Sequence, residues 1–577
     1  MSMKSRDAHF QPQCTARSTE TEVMPSRRGF LKLAFTGAAA SALLSPWDIL
    51  RTARGEGQGD PGAPIFELPG MTNSVKQTDF NGDEPDHVHE VLWDKLNYLQ
   101  SRGGIPPVTE RVTAVVLGGG IAGLTAAYEL RDLNPIVLEG ASRFGGNSKG
   151  ERWAGTDYSM GAAYVTLQDE GSFGERLLKE LGLYQRGRID DPTDSVTQNA
   201  GTGRLLAPFW QGATDPAQRG EFARVFDAFA KVRDHAFPDI PWTPGGQLSQ
   251  AELKQLDGTS FSNWIGSTLG QIHPHVRELI HEYCWSSFAA DPTELSAAQG
   301  LNFLASDLGG DMVFAGGNAA IAQALYSRLN RLRAGYLVID VCRTDEGVRV
   351  CYETPKRELR SLLAQVCVVA APKFVARRLL PSLEGTAQDA AMARLHYRTY
   401  VVANVLIKGR VPSAGYDVFR LTGDPAELAD PRGQTNVRPF TDMIFANWAN
   451  WAANDSGENT VLTLYKPFPY EGARQFAYSP QFYGRHRGLI ESALPQTLAA
   501  IGVDPSRVHD IRLTRWGHAL PVAATGLYSS GALELASAPV DGRIFFANQD
   551  NYANPSFESA ITAAEAAAKS ARAALRG

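Results

Sequence analysis

The sequence predicts an α/β fold built on a Rossmann-like domain, and three stretches carry that prediction. Residues 112–139, VTAVVLGGGIAGLTAAYELRDLNPIVLE, pass from an apolar strand through a glycine triplet into a helical pattern and a second strand. Residues 337–353, LVIDVCRTDEGVRVCYE, alternate as a β-hairpin about a turn at Asp345-Glu346-Gly347. The chain closes with a short strand, residues 544–547, and an Ala-rich helix running to about Leu575.

The elements of the first stretch have defined tasks. Val112 to Leu117 is a short apolar run, as expected of a buried strand. Gly118 permits the tight turn, Gly120 lets a pyrophosphate approach the backbone, and Gly123 lets the helix pack close to the strand. The helix N-terminus offers free N–H groups to phosphates. Glu139 ends the second strand, 21 residues beyond Gly118, where a carboxylate can accept hydrogen bonds from ribose hydroxyls. The whole pattern reads as a dinucleotide site.

Ahead of that domain, residues 25–44 read PSRRGFLKLAFTGAAASALL. Arg27 and Arg28 precede an apolar run from Leu31 to Leu44, shorter than the roughly 20 residues a bilayer span needs. This is the layout of a twin-arginine export signal, so residues 1–50 are expected to be an address, with the export machinery as partner and a periplasmic or secreted destination. No clean Ala-x-Ala cleavage site follows. Residues 51–107 read as a linker, rich in Gly, Pro and Asp, and a strap helix. His87 and His89, two residues apart, do not share a helix face, which favours a solvated helix over a metal site.

Composition bounds the rest. The 577 residues are 43% hydrophobic and 20% charged, with net charge −6, a globular profile too long for one ordinary domain. No basic block stands out, so no nucleic-acid partner is expected. The five cysteines, Cys14, Cys284, Cys342, Cys351 and Cys367, show no metal-ligand spacing, and no metal is expected. Cys342 and Cys351 flank the hairpin turn, either as two small buried side chains or as a cross-strand disulfide.

Residues 139–148, EGASRFGGNS, resemble the Glu-Ala-x-x-Arg-x-Gly-Gly-Arg signature of the flavin-dependent amine oxidase superfamily. Glu139, Arg143, Gly145 and Gly146 match, and Asn147 stands where the second arginine usually does. The resemblance covers nearly the whole chain from about residue 108. It implies FAD as cofactor, with Arg143 supplying charge near the pyrophosphate and backbone atoms near Val338 to Val341 meeting the adenine. The segment 542–575 resembles the closing FAD motif. There Asp550 aligns with the acid that holds the ribityl chain, and Asn554-Pro555 is expected to start a helix aimed at the flavin. The implied architecture is an FAD-binding domain from residues 108–190, 310–385 and 505–577, interleaved with an α+β substrate-binding domain from 191–309 and 386–504.

Three short segments, RTYVVANVLI (398–407), RWGHALP (515–521) and ANQD (547–550), resemble bacterial spermidine dehydrogenases. The implied chemistry is hydride transfer from an amine, a polyamine among the candidates, to the flavin. Such a site suits an aromatic cage, with Tyr164, Trp448, Trp451, Trp516 and Tyr528 as candidates. Tyr164 and Trp516 are the expected substrate contacts, and His518 the expected proton acceptor or orienting group. Val402 falls where many amine oxidases carry a lysine against the flavin, and the nearest lysine in that segment is Lys408. A dehydrogenase passing electrons to a quinone or cytochrome is therefore expected ahead of an oxidase using oxygen. FAD loaded in the cytoplasm would explain export of a folded chain. Two rivals share the scaffold: a desaturase or oxidase of an apolar polyene or porphyrinogen, and a non-catalytic flavin-binding partner protein.

Overall fold

The strand Val108–Leu117 sits inside a seven-stranded sheet, between Ile136–Glu139 and Leu359–Val369. In this computed structural model the described residues are 65–67, 77–413, 415–422, 430, 432–433, 437–449 and 459–576. The export segment and Trp451 lie outside the described residues.

Five strands of that sheet run parallel: Leu332–Ala334, Ile136–Glu139, Val108–Leu117, Leu359–Val369 and Ile544–Phe546. The hairpin Leu337–Thr344 and Gly347–Glu353 extends it antiparallel, as its alternation predicts. Helices Ile121–Glu129 and Phe557–Arg576 pack together in the core on one face, and Lys373–Leu379 and Ala387–Ala393 contribute to the core on the other. Two buried faces explain the apolar, fully buried run at residues 114–117 of the central strand. A Cβ on Gly123 would fall 1.9 Å from the Gly118 carbonyl oxygen, so only glycine lets the first helix lie this close to the turn.

The second sheet has eight strands, in the order Leu205–Leu206, Val196–Asn199, Asp417–Leu421, Asp442–Phe445, Thr460–Phe468, His396–Ile407, Val508–Val522 and Asn81–Gly82. Helices Arg219–His235, Phe261–Leu269, Pro274–Phe288 and Ala297–Asp307 share an apolar core beside it. No helix among the described residues is long and apolar enough to cross a membrane.

The structure redraws several sequence expectations. Val508–Val522, grouped by sequence with the closing flavin segment, instead pairs along its length with His396–Ile407 in the second sheet. Strand partners more than a hundred residues apart leave no local signal, so the boundary was not readable there. The strap helix Pro85–Trp93 is no solvated helix: Val91 and Leu92 are buried, and His87 Nε2 lies 2.7 Å from Glu353 Oε1. The closing helix starts at Phe557 and is capped by Ser556, whose Oγ accepts from Ser559 N–H at 3.1 Å, while Asn554 accepts from Gln299. Cys342 faces Arg349 and Cys351 faces Asp340 across the hairpin, so the two cysteines are not cross-strand partners and both are free.

Candidate active site

A cavity of about 590 Å³ is lined from both sheets. Its first part is built by the glycine turn. Gly118 adopts φ +110, and Gly118, Gly119 and Gly120 all border the cavity. A Cβ on Gly120 would meet no protein atom closer than 3.7 Å, so it would project into cavity space that a ligand can fill. Gly145 and Gly146, at φ +115 and +55, complete this wall opposite Gly120. The Glu139 carboxylate accepts from Gly119 N–H at 2.6 Å and Ala141 N–H at 2.7 Å. Burial raises its pKa while these two donors oppose the rise. Leu337 and Val338 border the same space, with Pro555, Ser556 and Phe557 at the N-terminus of the last helix. These residues fit an FAD: a close backbone approach, a carboxylate at the strand end, an apolar slot, and a helix terminus whose dipole stabilises nearby negative charge by about 0.3–2 kcal/mol.

The basic residue in this wall is not the expected one. Arg143 turns its guanidinium onto Gly150 O (3.3 Å) and Met160 Sδ (3.0 Å) and does not border the cavity. Asn147 donates to Ala519 O at 3.0 Å. Lys149 is the only lysine or arginine lining the cavity among the described residues. It is buried, its Nζ donates to Gly82 O at 3.2 Å, and it sits 5.7 Å from the Trp516 ring. Burial lowers its pKa, and Glu139 opposes that. The Gly-Gly-Asn-Ser-Lys run held the signal, two residues past the signature position.

Asp550 borders the cavity, but its Oδ2 is already engaged by Lys373 N–H (2.8 Å) and Tyr397 O–H (2.5 Å). Burial raises its pKa. Lys373 is fully buried behind it, its pKa lowered to about 7 by desolvation. Asp550 thus ties two elements together as well as facing the cavity.

The remaining wall is one face of the second sheet. Side chains on a strand alternate between faces, and the register aligns a set of them. Trp516 stands opposite Tyr400, Tyr465 lies between Val402 and Asp442, and Asp442 faces Phe419. All of these border the cavity, as do His518 and Asp417 two residues along their strands from Trp516 and Phe419. Tyr400 and Tyr465 meet edge to face at 5.9 Å. The Trp516 indole N–H donates to Met160 O at 2.9 Å, fixing the ring.

Among the expected aromatics, Tyr164 and Trp516 border the cavity; Trp448 and Tyr528 do not. Trp448 stacks under Arg188 at 3.6 Å. Tyr400 and Tyr465 were missed as aromatics of the site, although alternation along their strands carried the signal. His518 borders the cavity and stacks on Phe374 at 4.0 Å. Desolvation first, then Arg474 and His89, lower its pKa to about 3. It is neutral near pH 7 and a weak base, which corrects the expectation of a proton acceptor and leaves orientation as its task. Val402 borders the cavity, and Lys408 is exposed beyond the end of its strand.

Three carboxylates, Asp307, Asp417 and Asp442, border this aromatic part. Burial raises all three pKa values, to about 7 for Asp307 and Asp442 and well above the ordinary carboxylate range for Asp417. Asp307 accepts from Tyr283 O–H at 2.6 Å and Asp442 from Thr441 O–H at 2.6 Å, whereas Asp417 Oδ1 has no hydrogen-bond partner. None of the three forms an ion pair with a lysine or arginine among the described residues. No His/Cys/Asp/Glu group among them is arranged to hold a metal ion.

Comparison with known proteins gives a consistent picture. The pattern of the family described as flavin containing amine oxidoreductase matches residues 121–571. Oxidoreductase PigB of a Serratia species is 25% identical over 530 residues, covering 81% of this chain and 76% of that relative. A nicotine dehydrogenase of Pseudomonas putida is 30% identical over 160 residues, 27% of this chain and 30% of its own. Among solved structures, cyclohexylamine oxidase from Brevibacterium oxydans superposes with a TM-score of 0.58 at 20% identity, covering 81% of this chain and all of that one. Putrescine oxidase bound to putrescine does so with a TM-score of 0.58 at 16% identity and the same coverage.

Proposed function

Because the chain belongs to the flavin-containing amine oxidoreductase family and is an FAD-dependent enzyme, we propose that its substrate is an amine carrying at least one further positive charge, a polyamine such as putrescine or spermidine. The observation that carries this reading is a carboxylate cluster on one cavity wall: Asp442, buried, and Asp417, half-buried, beside Tyr465, with Asp307, half-buried, bordering the same space, none of them with a cationic partner among the described residues. A buried carboxylate without a counter-charge is costly, and a cationic guest would supply that charge. The aromatic faces would hold the same guest by cation–π attraction.

Bound FAD supplies the hydride acceptor for oxidation of the carbon beside the amine nitrogen. The chain's own part is orientation and exclusion of water. Trp516, fixed through Met160, and neutral His518 form a wall against which the reacting carbon is held. The carboxylates hold a distal ammonium, so the reacting nitrogen can be neutral while the molecule stays cationic. An apolar polyene or porphyrinogen would leave those carboxylates without a partner, which disfavours that rival.

We also propose that electrons leave to a carrier such as a quinone or cytochrome, because Val402 occupies the wall where a lysine would serve an oxidase. Arg27 and Arg28 ahead of the apolar run are what support our further proposal that the folded, FAD-loaded chain is exported by the twin-arginine route. Cell fractionation of wild type against an Arg27→Lys/Arg28→Lys variant tests it; equal periplasmic amounts would discard the export reading.

The central experiment is anaerobic titration of the flavin absorbance with putrescine, spermidine and simple monoamines. Fast bleaching by the polyamines is expected, and slow return of colour on admitting air. A flavin-loaded protein that no amine bleaches would sink the amine reading.

A further inference from the structure

Residues 81–92 precede the region matched by the family, yet Gly82, Asp83, Glu84, Val88 and Leu92 border the same cavity as Gly118–Gly120, Glu139 and Val338. Val88 and Leu92 are four residues apart on one face of the helix Pro85–Trp93, the spacing that places both on the cavity side. We propose that this N-terminal strap is part of the FAD site: it roofs the dinucleotide channel and pins Lys149 against it, so that FAD is released only when the strap peels away.

The strap is latched at both ends. Upstream, Asn81–Gly82 pairs in parallel with Thr514–Arg515. Gln77 both accepts from Leu513 N–H (2.6 Å) and donates to Leu513 O (2.9 Å), and the Asn81 amide spans Glu151 (2.8 Å) and Thr514 (2.6 Å). Asp83 accepts from Gly517 N–H at 2.8 Å. Downstream, His87 meets Glu353, and Tyr98 donates to the same carboxylate. Between the latches, Glu84 accepts from Ser142 N–H and O–H, closing over the loop that follows Glu139. The link to cofactor charge is Gly82, whose carbonyl accepts from Lys149 Nζ at 3.2 Å. The strap therefore orients Lys149, the one lysine of the cavity wall among the described residues, which stands in for the arginine expected where Asn147 is. A pyrophosphate needs such a counter-charge.

The test follows FAD release from purified holoprotein by the rise in free-flavin fluorescence after dilution. The double variant Gln77→Ala/Asn81→Ala weakens the upstream latch at positions that do not border the cavity. It is expected to release FAD at least tenfold faster than wild type, and Lys149→Met likewise, with far-ultraviolet circular dichroism unchanged. Release within twofold of wild type in the latch variant overturns the proposal, whatever Lys149→Met does. Should the latch variant purify without FAD, retitration decides: a tenfold weaker Kd supports the roof and an unchanged Kd overturns it. If it does not fold, amide exchange on the wild-type chain settles the matter. Protection of residues 81–92 on adding FAD is expected, and equal exchange with and without FAD overturns the proposal.

Discussion

Asp442 and Tyr465 stand directly opposite each other on neighbouring antiparallel strands, and both face the cavity. A carboxylate and an aromatic ring side by side offer an ammonium two attractions at once, charge and the ring face. Asp442 carries no competing lysine or arginine among the described residues, so the pair is available to a ligand rather than spent on the fold.

Asp442→Asn is expected to lower kcat/KM for a polyamine about 10- to 100-fold, the loss of a charged hydrogen bond worth ~1.5–3 kcal/mol. A monoamine of similar bulk should lose much less. Asp417→Asn should behave the same way. Steady-state kinetics with matched diamine and monoamine substrates checks this, and equal losses for both would mean the carboxylates do not read the second charge.

The raised pKa of Asp442, about 7, also sets a pH dependence. In the substrate-free protein this carboxyl is neutral below about 7 and ionised above, so polyamine affinity should rise as pH increases through 7. Stability runs the other way. The folded group binds its proton more tightly than the unfolded one, so its favourable contribution falls as pH rises from about 4 to 7. Relative to wild type, Asp442→Asn should therefore gain about 1–3 °C in Tm between pH 5 and pH 8 without substrate, by thermal melting.

Gly120→Ala and Gly123→Ala should separate cofactor binding from folding. An alanine at 120 projects into cavity space, its Cβ no closer than 3.7 Å to protein. The chain should fold, and FAD should bind at least tenfold more weakly. An alanine at 123 meets Gly118 O at 1.9 Å and forces the helix off the sheet, costing about 1–3 kcal/mol of stability. Denaturant midpoints of the apoproteins and FAD titrations distinguish the two.

His518→Gln should slow the reaction without moving the pH profile. With its pKa at about 3, the imidazole does not titrate where the enzyme would be assayed. A kinetic limb near pH 6.5 that vanishes in His518→Gln would return His518 to proton transfer.

Legibility differed by the range of the interactions. Gly118, Gly120, Gly123 and Glu139 were readable because turn, helix start and strand end lie within 22 residues and each carries a backbone requirement. The hairpin at 337–353 was readable by alternation. Arg143 was read as the cavity's cation from the spacing of a signature, but side-chain direction depends on neighbours outside the signature, and Met160 and Gly150 draw it aside while Gly82 draws Lys149 in. His518 looked like a base in isolation; burial, with Arg474 and His89 from other elements, lowers its pKa to about 3.

By itself, then, the sequence determined the glycine turn and strand-end acid of the flavin site, since a Rossmann turn is a local object whose glycines and terminal acid lie within one short stretch of chain. The substrate wall was decided only by tertiary structure. Trp516, Tyr400, Tyr465, Asp442 and Asp417 come from five strands spread over more than a hundred residues, and only the registers between those strands place them on one face. Register is a property of pairs of strands, fixed when one face is buried against a core, and no single segment contains it. The same holds for the strap, whose residues 81–92 join the flavin site only because Val508–Val522 offers its free edge to Asn81–Gly82.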